Sequence, residues 1–179
     1  MESKSDKAEK IVFEGTLKDD MNCVVTDPAA VAYLSEKRYG MMSEHGILLE
    51  PLEALYLLRR GNLILKDAKG STVEFKQLLI EIARKDPDIW VKLELYTDLR
   101  KRGFYVRTGF SEGIVFLVDQ KKGEKFKKYL VYGFTEGKRV GFSEFEEVFR
   151  RAIESGREPL IAVIDKESNI TYYSVSKME

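Results

Sequence analysis

Histidine and cysteine are the scarcest of the side chains in this sequence that could do chemistry, one of each. His45 is the single imidazole among 179 residues, so a reaction needing a general base that titrates near neutrality has one candidate. It stands in a Gly-containing loop before an apolar helix, with no Cys, second His or paired acids nearby. That setting suits a structural or solvent-facing residue, and no function or metal is assigned to it. Glu144, Glu146, Glu147 and Glu154 resemble a catalytic carboxylate cluster only on paper, because a capping box at Ser143–Glu146 and helical periodicity explain them without chemistry. The segment from Arg100 to Lys128 is different. It holds nine basic residues (Arg100, Lys101, Arg102, Arg107, Lys121, Lys122, Lys125, Lys127, Lys128) against Glu112, Asp119 and Glu124. Such an excess suits a phosphate-tracking patch, with Phe104, Tyr105 and Phe110 available for stacking. A run such as Lys121-Lys122 also reads as a solvated turn.

Thirty basic and thirty acidic side chains cancel over the whole chain, which excludes a uniformly polycationic coat and confines any RNA affinity to local patches. Hydrophobic residues make up 44% and charged ones 34%, a globular balance. Cys23, the one cysteine, can form no intramolecular disulfide, and its apolar neighbours mark a buried strand thiol in a reducing compartment. No apolar run approaches the ~20 residues of a membrane span, and Met1–Lys7 lacks the apolar core of a signal peptide. A cytoplasmic protein without cofactor or metal is expected.

The elements that must position the basic segment follow from local signals. Residues 1–9 read as a loose charged tail. Lys10–Leu17 and Asn22–Val25, around Asp19-Asp20, suggest a strand pair. Asp27-Pro28 reads as N-cap and first residue of a helix running to about Lys37 and stopping near Gly40. Glu50-Pro51 opens a second helix that ends at Gly61. Leu63–Lys66 reads as a strand, and Ser71-Thr72-Val73-Glu74 as a capping box for a helix through Phe75, Leu78, Leu79 and Ile82. Pro87 marks the boundary between an N-terminal domain at 10–86 and a C-terminal domain at 87–179. The second domain opens with a helix through Ile89, Leu93, Tyr96 and Leu99, followed by strands at Phe104–Thr108, Ile114–Asp119 and Lys128–Phe134. An amphipathic helix through Phe145, Val148, Phe149, Ala152 and Ile153 comes next. Pro159–Asp165 reads as a central strand covered on both faces, and Lys166–Asn169 as a hairpin turn into a strand at Ile170–Val175. The fold class is α+β: a small N-terminal α/β domain, then a mixed sheet flanked by helices.

The run Leu95-Tyr96-Thr97-Asp98-Leu99-Arg100-Lys101-Arg102-Gly103-Phe104-Tyr105-Val106-Arg107-Thr108-Gly109 resembles the segment "Y-x-D-L-R-x-R-G-y-x-v-k-T-G" that opens the C-terminal, nuclease-like domain of the archaeal tRNA-splicing endonuclease family. Leu49–Gly61 is similar to the family's N-terminal "L-s-x-x-E-A-l-Y-L-l-x-x-G" helix, and Leu160–Tyr173 to its terminal "L-x-A-v-v-D…i-x-Y-Y" hairpin. The resemblance spans roughly residue 30 to the end. It implies cleavage of precursor tRNA at a bulge-helix-bulge element, leaving a 2′,3′-cyclic phosphate and a 5′-hydroxyl. In the family a Tyr, a His and a Lys bring the ribose 2′-hydroxyl onto the adjacent phosphodiester. The chemistry requires a proton acceptor, a proton donor to the leaving oxygen and a cation for the developing charge.

Aligned on Gly113 and Phe116, the Tyr position is Asp119; aligned on Tyr129-Leu130-Val131, the His position is Phe126; read back from Leu160-Ile161-Ala162, the Lys position is Arg157. Charge survives at one position only, and an Asp for Tyr would set negative charge where the scissile phosphate belongs. The pattern resembles the non-catalytic structural subunit of the heterotetrameric enzyme, whose partners are a homologous catalytic subunit and precursor tRNA. Whether the isolated chain forms a homodimer stays open. Arg102, Arg107, Lys121, Lys122, Lys125 and Arg157 are the candidate RNA contacts. Tyr172, Tyr173 and Val175 can pack into the chain's own sheet or present an edge to a partner. Glu136 is the only acid in the loop 133–139, where the family carries an acidic docking loop. Two other readings stay open: an active enzyme with displaced groups at Tyr105, Lys125 and Arg157, and an interaction module without RNA.

Overall fold

The computed structural model describes residues 11–109 and 113–175; the expected tail at 1–9 and the stacking candidate Phe110 lie outside them. The chain forms two compact units that part between Ile82 and Ala83. The fold is α+β in both.

The first unit is built on a five-stranded sheet. Its elements are β1 (Phe13–Leu17), β2 (Cys23–Val25), α1 (Pro28–Glu36), β3 (Met41–Ser43), β4 (Gly46–Leu49), α2 (Pro51–Arg59), β5 (Leu63–Lys66) and α3 (Phe75–Ala83), with strand order β3-β4-β2-β1-β5. β1 pairs with β2 antiparallel and with β5 parallel. The Asp27 carboxylate accepts from the Ala30 amide at 2.8 Å, which caps α1 one residue before Pro28. At α2 the Glu50 and Glu53 carboxylates cap reciprocally. Buried Glu53 also accepts from the Gly40 amide at 2.9 Å, so one side chain ties the end of the α1 turn to α2. Cys23 is fully buried on β2, and desolvation pushes its thiol up to about 12. It is therefore a packed apolar group and not a reactive thiolate.

One capping expectation fails in this unit, and one hairpin was not expected. His45 does sit in a loop, the turn of the β3–β4 hairpin. The signal for it was weak: β3 is three exposed residues with no alternation. Ser71 does not cap α3. Its amide is bound by the Asp67 carboxylate at 2.8 Å in a turn, and Gln77 instead reaches back to the Glu74 amide at 2.9 Å beside the helix start.

The second unit comprises α4 (Ile89–Lys101), β6 (Tyr105–Thr108), β7 (Ile114–Lys122), β8 (Lys125–Thr135), α5 (Phe142–Glu154), β9 (Glu158–Ile164) and β10 (Ile170–Ser174). The sheet order is β10-β9-β8-β7-β6, with β8–β9 the one parallel pair. Alternation along the strands sorts the side chains to two faces. Phe116 meets Tyr96 of α4 edge-on at 6.1 Å on one face. Val115, Leu130 and Tyr132 pack with Val148 and Ala152 of α5 on the other.

Three expectations are corrected here. The turn assumed between Asp119 and Lys128 is mostly strand, with β7 and β8 paired out to Lys122 and Lys125. No capping box opens α5. Its N-cap is Gly141, and Glu144 accepts from the Tyr132 hydroxyl at 2.6 Å. Burial and that bond both raise the phenol above its ordinary range. β9 is not covered on both faces along its length: Leu160 and Ile161 are half-buried, because its neighbour β10 ends the sheet.

Gly109, which closes the quoted motif, is fixed by close approach. Its amide donates to the Val115 carbonyl at 2.7 Å, and a Cβ there would lie 2.8 Å from that oxygen and 2.6 Å from Val115 Cγ1. The contact is with backbone and a β-branched stem, neither of which yields easily. Gly109→Ala is expected to lower stability by about 1–3 kcal/mol, read as the shift of the urea midpoint at constant slope.

Candidate functional site

Asp119 and Phe126 share the α5 face of the second sheet by alternation, and Arg157 reaches Asp119 there. Asp119 lies opposite Tyr105 on β6 and Lys128 on β8, while Phe126 lies opposite Lys121. Arg157 enters from the turn before β9. Its Nη1 donates to Asp119 Oδ1 at 2.8 Å and reaches the Tyr129 and Val118 carbonyls at 3.1 and 3.4 Å. The two charged side chains are only 9% and 13% exposed, Arg157 first. The negative charge expected at Asp119 is thus neutralised within the chain, and the cation left at position 157 is engaged by three acceptors. The Phe126 ring packs against Tyr105, with centroids 6.2 Å apart and planes inclined by 49°.

The chemistry of this set is restricted. A guanidinium stays protonated at any working pH, so Arg157 can hold charge but cannot relay a proton. Phe126 has no titrating group at all. Among the described residues no group of three or more His, Cys, Asp or Glu side chains could hold a metal. His45 belongs to the other unit.

The basic candidates divide by position. Arg107, Lys121, Lys122, Lys125, Lys127 and Lys128 are exposed. Arg107, Lys121 and Lys128 share the face of Asp119, and Lys122, Lys125 and Lys127 point to the opposite one by alternation. Arg102 is engaged inside the unit: its Nε donates to Asp98 at 2.7 Å, and its guanidinium lies 5.2 Å from the Tyr172 ring centre. Tyr172 donates to the same carboxylate at 2.7 Å. Arg100 likewise donates to the Tyr96 hydroxyl at 3.1 Å. Asp98 and Arg102 of the motif therefore fasten the end of α4 to the last strand, a role the spacing alone did not reveal. Of the edge candidates, Tyr173 is exposed, Val175 is half-buried with its amide 3.4 Å from the Pro159 carbonyl, and Glu136 is exposed in the turn after β8.

Both units match known domains in this order along the chain. The profile of the tRNA intron endonuclease N-terminal domain covers residues 13–79, and that of the tRNA intron endonuclease catalytic C-terminal domain covers 89–172. The tRNA-splicing endonuclease of Methanococcus vannielii is 32% identical over 163 residues, which is 89% of this chain and 92% of that one. The tRNA-splicing endonuclease of Methanothermobacter thermautotrophicus is 33% identical over 90% of this chain and 95% of its own. That of Thermococcus kodakarensis is 30% identical over 84% and 89%. The chain belongs to the tRNA intron endonuclease family.

Proposed function

We propose that this chain is the structural, non-catalytic subunit of a cytoplasmic tRNA intron endonuclease. It would assemble with a homologous catalytic subunit, two of each, and present basic surface to precursor tRNA. The observation that carries this reading is the closed Asp119–Arg157 pair on the sheet face that also carries Phe126. Attack by a ribose 2′-hydroxyl needs one group to take a proton and another to protonate the leaving 5′-oxygen. At these positions stand a carboxylate held by a guanidinium, a hydrocarbon ring and an arginine that keeps its proton. The exposed cations Arg107, Lys121 and Lys128 on the same face, with Lys122 and Lys125 on the other, supply phosphate contacts without chemistry. Exposed Tyr173 and Glu136 are the candidates for contact with the partner subunit.

The displaced-site alternative, with Tyr105, Lys125 and Arg157 as catalytic groups, meets a geometric obstacle. Tyr105 lies on the Asp119 face, Lys125 points to the opposite one, and Arg157 is already engaged. The three do not converge on one phosphate.

The test is cleavage of an intron-containing precursor tRNA by the purified chain alone and mixed with a catalytic homologue from the same source. Cleavage only in the mixture is expected. Cleavage by the chain alone, with ribonuclease contamination excluded, overturns the structural-subunit reading. No effect of the chain on the homologue's cleavage or assembly overturns the partnership.

A further inference from the structure

We propose that Phe126 and Tyr105 form a stacking site for an unpaired RNA base. The inference rests on the RNA reading above and names which part of the RNA this face takes.

The β7–β8 hairpin runs past its neighbours on both sides. Pairing with β6 ends at Tyr105–Asp119, and pairing with β9 begins at Tyr129–Glu158. Between those limits, among the described residues, 120–127 pair only across the hairpin, as a two-stranded ribbon. A two-stranded ribbon has no core to fill, and its lysines answer to that: Lys121, Lys122, Lys125 and Lys127 are all exposed, while Gln120 at its base is half-buried. Phe126 breaks the pattern. It lies beyond the apolar cluster under α5, which reaches Leu117 and Leu130 but not Phe126. Its ring instead meets Tyr105, and both residues keep partial exposure.

What surrounds the ring pair is cationic. Lys121 stands directly across from Phe126, Lys128 follows two residues along the same strand, and Arg107 follows two residues after Tyr105. Neighbours two apart on a strand are about 7 Å from one another, so each cation lies within side-chain reach of a phosphate whose base rests on the rings. Of the nearby acids, Asp119 is neutralised by Arg157, and Glu124 lies in the exposed turn at the tip of the hairpin. Aromatic faces rimmed by lysine and arginine bind single strands by stacking plus charge, with little sequence preference. A duplex keeps its base faces covered and offers such a site only phosphates.

The test uses the full chain at fixed salt, with a dye-labelled oligouridylate and a blunt RNA duplex of equal length as probes in fluorescence anisotropy. Phe126→Leu keeps an apolar side chain for the ribbon but loses the ring. It is expected to weaken oligouridylate binding about tenfold and leave duplex binding unchanged. Phe126→Trp is expected to retain single-strand affinity, and Tyr105→Leu provides a second ring deletion if the first variant does not fold. Lys121→Glu with Lys128→Glu should weaken both probes. Phe126→Leu that weakens both probes equally, or neither, overturns the stacking site and leaves the RNA reading standing. A wild-type chain that binds neither probe overturns both.

Discussion

Arg157→Met is expected to destabilise the chain by about 3–5 kcal/mol, the usual cost of removing one partner of a buried ion pair. The reason is geometric. With the guanidinium gone, the Asp119 carboxylate is left at 13% exposure without its 2.8 Å donor, and the carbonyls of Tyr129 and Val118 lose the nitrogen that reached them. Lys128, directly across from Asp119, is exposed and can return part of the charge compensation but none of the backbone contacts. Arg157→Met combined with Asp119→Leu removes both charges together, and most of the loss should be regained, since apolar replacements of a buried pair are often neutral or better. Urea unfolding of the two single variants and the double variant gives the coupling directly. Single variants within about 0.5 kcal/mol of wild type would mean that the pair is a surface contact and that the site is open. The outcome bears on function, because a pair that holds the sheet together is not a vacant catalytic position into which a lysine could be put back.

Local signals carried most of the fold and none of this pair. Asp27-Pro28 and Glu50-Pro51 announce their helices because a cap and a fixed φ act within one turn of the chain. The β3–β4 hairpin was missed because its strands are three and four residues long and Met41 and Met42 are exposed, so no apolar alternation marked them. The two capping boxes expected at Ser71 and Ser143 were wrong for a common reason. A serine followed three residues later by an acid is compatible with a cap, but the helices start elsewhere: α3 begins only at Phe75, and α5 already begins at Phe142 with Gly141 as its N-cap. The lysines between Asp119 and Lys128 read as a turn because charge signals solvent, whereas cross-strand pairing, invisible in a linear reading, makes them a ribbon. The assignment of Asp119, Phe126 and Arg157 to the family's Tyr, His and Lys positions rests on resemblance alone. That Asp119 and Arg157 would bind each other across 38 residues was not legible.

The same limit applies to the family motif in α4, where the residue types were recognised and their work was not. Asp98→Ala should cost about 1.5–3 kcal/mol, the range for hydrogen bonds to a charged group, and its effect should concentrate on β10. Asp98 Oδ2 accepts from both the Tyr172 hydroxyl and Arg102 Nε at 2.7 Å, linking positions 74 residues apart. Among the described residues β10 pairs with β9 on one side only, so this carboxylate adds an anchor from α4 to the edge strand. Burial, then the bond to Asp98, raises the Tyr172 phenol above its ordinary value. A raised phenol contributes stability that is intact below the unfolded value of about pH 10 and is lost as pH climbs above it. Asp98→Ala should therefore flatten the alkaline limb of the stability curve as well as lower it. Hydrogen exchange is expected to show faster opening at Ile170–Ser174, with β7 and β8 unchanged. Uniform loss of protection across the sheet would show that Asp98 supports the whole unit rather than the edge. If exposed Tyr173 meets a partner subunit, an edge loosened in this way should also weaken assembly with the catalytic homologue, while leaving binding of RNA to the β7–β8 ribbon intact.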